Sequence, residues 1–191
     1  MSAACRLVRG TLARARSDYG FDPLKLGETN LDRLVECELL HARWCMLATA
    51  GCLAVELGGY GTWIEAAQWP VSGAPLTYFG NEVPINLGAV VAIEVLSMAY
   101  LEVARNGETD PVKRCYPGGP FDPLGLSKDA DYFMTMKKKE IANGRLAMFS
   151  MLGYYGQAAA TGAGPIDNWL THISDPFHTT VASNKIAVPF L

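Results

Sequence analysis

Three long apolar runs constrain this chain more than any other feature of it. They are "VECELLHARWCMLATAGCLAVELGG" (Val35 to Gly59), "PINLGAVVAIEVLSMAYLEVAR" (Pro84 to Arg105) and "EIANGRLAMFSMLGYYGQAAATG" (Glu140 to Gly162). Each reads as one helix of about 20 residues, which at roughly 1.5 Å per residue reaches across a bilayer. Each also holds ionisable groups, so a soluble helical bundle stands as an alternative on this feature alone. Charged residues make up 18% of the chain, against about 25% in an average soluble protein.

Charge placement between the runs favours spanning. From Gly58 to Pro84 there is no Lys or Arg. The N-terminal segment carries Arg6, Arg9, Arg14, Arg16, Lys25 and Arg33, and the second connection carries Lys113, Arg114, Lys128 and Lys137 to Lys139. That alternation is the positive-inside pattern of three spans. Trp63, Trp69 and Trp169 fall in the basic-poor segments, where interfacial anchors belong. After the third run, Ile166, Trp169, Leu170 and Ile173 recur at helical spacing, as in an amphipathic helix lying at an interface. The expectation is an all-α membrane protein of one domain, residues 1–191, with spans over about 33–57, 85–105 and 138–161 and an amphipathic helix over about 165–173.

A net charge of -3 without a basic stripe excludes a nucleic-acid partner. The five cysteines form no CxxC pair, and three of them sit in the first apolar run as small hydrophobes. Neither a disulfide framework nor a zinc site is expected.

The first and third runs repeat one another. "ELLHARWCM" (Glu38 to Met46) matches "EIANGRLAM" (Glu140 to Met148), with Glu38/Glu140, His41/Asn143, Arg43/Arg145 and Met46/Met148 all 102 positions apart. "FDPL" precedes both runs, at Phe21 and Phe121, 100 positions apart. With one span between them, the two copies run in the same direction as parallel repeats, and contacts between them are reciprocal. Charges inside a membrane need protein partners, at a cost of about 2.5–3.5 kcal/mol or more if left bare. Arg follows Glu by five residues, and helical side chains lean toward the N-terminus. Two pairs between helices follow, Glu38–Arg145 and Glu140–Arg43.

Several polar residues are left over. His41, Asn143, Gln157, His172, Glu94 and Glu102, together with the spare oxygens of Glu38 and Glu140, can each donate one N or O lone pair to a metal. They are scattered along the runs. Zinc or di-iron chemistry needs converging ligands, whereas a metal held in a macrocycle needs one axial ligand.

The paired ExxHxR and ExxNxR helices, each preceded by FDPL, resemble the chlorophyll a/b-binding light-harvesting proteins of chloroplasts. "YPGGPFDPLG", "KKKEIANGRLAMFSMLG" and "TGAGPIDNWLTHISDP" are similar to that family's second half, in the same order. The resemblance covers about Ser17 to Leu191. "ELGGYGTWIEAAQW" and "YFGNEVP" are most similar to the photosystem I antenna branch of green algae and plants.

The resemblance implies that Glu38, His41, Glu102, Glu140, Asn143, Gln157 and His172 are axial ligands to chlorophyll magnesium. By the same resemblance Glu94 holds its chlorophyll through water, Arg43 and Arg145 form the ion pairs, and helices one and three cross as a pseudo-two-fold pair. Asp22 and Asp122, in the FDPL turns, lie nearest the head groups of xanthophylls. The implied cofactors are chlorophyll a, chlorophyll b, xanthophylls of the lutein and violaxanthin type, beta-carotene and a structural lipid such as phosphatidylglycerol. The implied partners are neighbouring light-harvesting subunits, the photosystem I core and thylakoid lipids. The implied location is the chloroplast thylakoid membrane, multi-pass, with a stromal N-terminus. No enzymatic activity is expected.

The chain departs from the family in two places. The first twenty residues lack the Trp and Pro-rich arm, which puts an arm-bound chlorophyll in doubt, and they resemble a fragment of a transit peptide. Val55 stands where the repeat would match Gln157. Three other functions stay open: a photoprotective quencher of the same superfamily, a di-iron carboxylate enzyme and a small transporter. Red absorption separates the pigment proteins from the last two.

Overall fold

A computed structural model of the protein describes residues Tyr19–Asn184. The Arg-rich leading segment, with its expected transit-peptide character and its missing arm, lies outside the described residues. The described chain is mostly helical. Its elements are α1 (Gly27–Leu57), α2 (Trp63–Ala67), α3 (Trp69–Ser72), a hairpin of β1 (Thr77–Tyr78) and β2 (Asn81–Glu82), α4 (Leu87–Gly107), α5 (Pro111–Cys115), α6 (Ala130–Thr161) and α7 (Pro165–Ser174). Two 3-10 turns, Gly119–Phe121 and Leu126–Lys128, lead into α6.

The three long helices coincide with the three apolar runs but begin elsewhere. α1 starts at Gly27 because Asp22 caps its first turn, accepting from Leu26 N at 3.0 Å and Gly27 N at 2.8 Å. Asn30 then departs from helical geometry (φ -151°, ψ 69°), and its side chain accepts from Arg33 N at 3.4 Å, restarting the helix near the apolar boundary. α6 starts eight residues ahead of the expected 138, because Asp129 caps its first turn through Asp131 N at 3.1 Å. The apolar pattern marks only the part of a helix with a greasy face, so polar leading turns escape it.

Among the described helices, α4 is long and apolar enough to cross a membrane by length and composition, and no residue in it is buried. α1 and α6 are longer, at 31 and 32 residues, but carry more charge. Composition thus identifies one span where three were expected.

Two compact units divide the chain: residues up to Met46 with Leu96–Met148, and Leu47–Val95 with residues from Phe149 on. The first unit has a core built on the repeat. Its buried residues include Leu39 and Ala42 from α1, and Ile141 and Ala147 from α6. Leu39/Ile141 and Ala42/Gly144 have the same 102-residue offset as the charged residues. Repeat-related residues also meet directly. A methyl added at Gly144 would sit 2.4 Å from Ala42 Cβ and 3.2 Å from its Cα, a separation that only glycine permits.

The second unit buries Cys52, Met151 and Pro165. Its central device is Glu56, near the end of α1, whose Oε2 accepts from Ile166 N at 2.9 Å. α7 opens at Gly164 and Pro165 with no capping side chain of its own, so a carboxylate distant in sequence fills that role. Asn184 ties the chain beyond α7 back to α6 by donating to Ala160 O at 3.1 Å. Thr62 and Glu65 form a reciprocal capping box on α2, the T-x-x-E pattern at work.

Candidate pigment-binding site

The charged residues of the repeat meet across the helices of the first unit. Arg43 Nε lies 2.8 Å from Glu140 Oε1, and Arg145 Nε lies 2.7 Å from Glu38 Oε1. The distances are nearly equal, as reciprocal contacts require. Their surroundings differ. Arg43 also donates to Cys115 O at 3.0 Å, and Glu140 Oε2 accepts from the Tyr116 hydroxyl at 3.1 Å. The Tyr116 ring packs edge-on to Phe133, and buried Lys137 places its Nζ 4.2 Å from the Tyr116 centroid and 4.0 Å from that of Phe133. The ring of Tyr19 lies 5.8 Å from the Arg145 guanidinium.

His41 and Asn143 show how an outward lone pair is produced. Both side chains are exposed. His41 Nδ1 lies 2.8 Å from Cys37 O, so that nitrogen carries the proton and donates one turn back. Asn143 Nδ2 donates to Lys139 O, also one turn back and also at 2.8 Å. The backbone thereby fixes each side chain and leaves one acceptor, His41 Nε2 or Asn143 Oδ1, directed away from the helix. His172 repeats the device in the second unit, with Nδ1 bonded to Thr179 O at 2.8 Å. Gln157 is half-buried on α6, and no described residue hydrogen-bonds its carboxamide. Glu94 is exposed on α4. Glu102 is held by Arg105 on the same helix, at 3.2 Å to Oε1 and 2.6 Å to Oε2.

Large apolar side chains of α1 and α6 are also in the open: Trp44 and Leu146 in the first unit, Leu47 and Phe149 in the second. A chain that exposes apolar surface around fixed lone pairs fits a large apolar macrocycle with one open metal position. No three His, Cys, Asp or Glu side chains converge among the described residues, which is what a di-iron centre requires.

The two FDPL aspartates act first on the backbone. Asp122 copies Asp22, accepting from Leu126 N and Ser127 N at 2.9 Å each, and adds the Ser127 hydroxyl at 2.5 Å. The Ser127 hydroxyl, followed by the amides of Ser127 and Leu126, holds the Asp122 carboxyl below its ordinary value of 3.8. Each aspartate thus fixes how the chain turns toward its long helix.

Sequence reasoning missed two carboxylates. Glu36, buried on α1, binds the guanidinium of Arg105 and lies 3.2 Å from that of Arg114, which also donates to Asn106 at 2.9 Å. Glu36 sits outside the repeated motif, so only its place on the buried face, one turn before Leu39 and Leu40, could have flagged it. Glu56 was passed over because its partner is a backbone amide, which no side-chain pattern records.

Comparison with known proteins agrees with this arrangement. The chain belongs to the chlorophyll a-b binding protein family, whose model matches residues 9–159. Chlorophyll a-b binding protein 6 of Arabidopsis thaliana is 48% identical over 181 residues, 92% of this chain and 74% of the relative. Photosystem I chlorophyll a/b-binding protein 5 of the same plant is 35% identical over 190 residues, 86% of this chain and 71% of the relative. Chlorophyll a-b binding protein CP29 of Chlamydomonas reinhardtii is 44% identical over 137 residues, 71% of this chain but 48% of the relative. The family is one of light-harvesting pigment carriers and not of enzymes.

Proposed function

We infer that this chain is a light-harvesting antenna subunit of the chloroplast thylakoid that delivers excitation to photosystem I. The observation that carries this reading is the matched fixing of His41 and Asn143. Each spends one polar atom on the carbonyl four residues back, at 2.8 Å, and presents the other from an exposed, apolar helix face. An axial ligand needs an oriented lone pair in an apolar setting, and this pair provides one in each copy of the repeat.

His41, Asn143, Gln157 and His172 would hold chlorophyll magnesium through neutral donors, and Glu38, Glu140 and Glu102 through carboxylates whose charge arginine balances. Glu94 would act through water. Chlorophyll a and b supply the absorption of light; the protein supplies separation and orientation. Xanthophylls of the lutein and violaxanthin type would lie along α1 and α6, with head groups near the turns fixed by Asp22 and Asp122. Beta-carotene and phosphatidylglycerol complete the set that the family resemblance implies.

α1, α4 and α6 would each cross the membrane, because the charges that make α1 and α6 less apolar than α4 are largely balanced within the protein. The N-terminus would then face the stroma, where the basic connection belongs. The choice of photosystem I is supported by the relative named for it and by the resemblance of the Glu56 to Trp69 segment to that branch.

Refolding the chain with chlorophylls and xanthophylls in detergent tests the reading. His41→Leu and Asn143→Leu should each lose chlorophyll relative to the parent while keeping the helix content. Full pigment content in both variants would overturn the assignment of these ligands.

A further inference from the structure

We propose that Tyr116 is a positioning residue for Glu140 and makes the two repeat-related carboxylates unequal as ligands. The inference rests on the reading of Glu140 as a magnesium ligand and adds a residue to it. Both oxygens of Glu140 are engaged: Oε1 accepts from Arg43 Nε at 2.8 Å, and Oε2 accepts from the Tyr116 hydroxyl at 3.1 Å. Glu38 has the matching arginine at 2.7 Å, but no described residue hydrogen-bonds its Oε2.

The difference does not come from the aromatic ring. An aromatic ring covers the arginine in each copy, Tyr116 at 5.3 Å from the Arg43 guanidinium and Tyr19 at 5.8 Å from that of Arg145. Among the described residues, only the Tyr116 hydroxyl reaches a carboxylate of the repeat. In the FDPL register the residue matching Tyr116 is Arg16, so the first copy has no phenol at that place. The second copy also fixes the ring more firmly. Phe133 meets it edge-on at 5.6 Å between centroids, and the buried Lys137 ammonium sits on the faces of both. Cations against a phenol ring draw on its electron density, which strengthens the O–H as a donor.

A carboxylate oxygen that accepts a hydrogen bond donates less charge to a metal and turns less freely. The chlorophyll at Glu140 is therefore more rigidly placed and more weakly charged by its ligand than the one at Glu38. Repeat symmetry gives two sites of one design, and a single hydroxyl separates their absorption energies.

Three refolded proteins, compared with the parent, test this: Tyr116→Phe, Tyr19→Phe and the charge-balanced double variant Arg43→Leu/Glu140→Leu. The readouts are chlorophylls per chain and the low-temperature red absorption band. Tyr116→Phe keeps the ring between Lys137 and Phe133 and removes only the hydroxyl. It should retain all its chlorophyll and shift the band of one, giving a derivative-shaped difference spectrum of one chlorophyll's area. Tyr19→Phe should match the parent, and the double variant should lose one chlorophyll. Loss of one chlorophyll in the double variant with no shift in Tyr116→Phe, or an equal shift in Tyr19→Phe, would overturn the role of Tyr116 alone. Full chlorophyll in the double variant would overturn Glu140 as a ligand, and the proposal with it. If Tyr116→Phe refolds poorly, Phe133→Leu loosens the same ring and should produce a smaller shift of the same band, and an unshifted band there would count against the proposal.

Discussion

His41 does two things at once, and a carboxamide could do both. Its Nδ1 is bonded to Cys37 O at 2.8 Å, the geometry that Asn143 reproduces on Lys139 O. His41→Asn should therefore keep both the backbone bond and an outward acceptor, and folding and chlorophyll content should survive. Because oxygen replaces nitrogen on a shorter side chain, the pigment would move relative to its neighbour. In the antenna branch that this sequence resembles, asparagine at this place accompanies red-shifted emission, so low-temperature fluorescence should move to the red. Identical spectra at identical pigment content would show that His41 does not set that spacing. A second residue-scale consequence concerns acid. The hydrogen bonds from Ser127 and Leu126 hold the Asp122 carboxyl below its ordinary value. A depressed carboxyl contributes stability that is fully present above its unfolded value of 3.8 and is lost as pH falls through the folded one. The melting temperature of the parent should thus fall more steeply with acidification in that range than that of Asp122→Asn. Ser127→Ala should lie between them, and three parallel curves would refute the linkage.

The helices show which sequence signals carry structure and which do not. All three long helices were legible, because apolar runs of that length leave little else to form. The first turns of α1 and α6 were not, since Asp22, Asn30 and Asp129 start them through caps in polar sequence. The small hairpin was missed because two-residue strands carry no periodicity. Its Phe79–Gly80 turn has positive φ at both residues, 49° and 77°, a conformation that the Gly alone hinted at. α7 was legible from the helical spacing of Ile166, Trp169, Leu170 and Ile173, but its cap was not. Glu56 supplies that cap through Ile166 N, while its Oε1 is buried with no partner among the described residues. Glu56→Ala should cost about 1–2 kcal/mol, the worth of a cap or a charged hydrogen bond. Glu56→Gln keeps an acceptor and should cost less. Thermal unfolding followed by circular dichroism separates the two, and equal midpoints would mean that Oε2 does not hold α7.

For the whole molecule, membrane topology is the quantity that composition left least visible. Among the described helices only α4 reads as a span by length and apolarity, since the charges of α1 and α6 count against them until their partners are known. The ion pairs could be drawn from the repeat because its copies are collinear and reciprocal. Glu36 with Arg105 and Arg114 obeys no repeat, and it needed coordinates. The proposed three spans would put the segment from Gly58 to Pro84 on the side opposite the N-terminus. That segment has no Lys or Arg but exposes Tyr60, Tyr78 and Phe79, so a chymotrypsin-type protease is the right probe. Added to intact membranes on the N-terminal side, it should spare these residues, and it should cut them once the membrane is opened. Cutting in intact membranes would rule out the topology.

The meeting of Ala42 with Gly144 has a consequence for how such a chain can change. These two residues hold the same place in the two copies, so each faces its own counterpart. In a chain whose copies were identical, any substitution there would be made twice at one point. Two alanines would bring methyl against methyl with 2.4 Å to share, and two glycines would leave a hole. Neither identical pairing fills the space, and one methyl does. The helices can approach this closely only because the copies have ceased to be the same, so the small difference between them at this point is a condition of their fit.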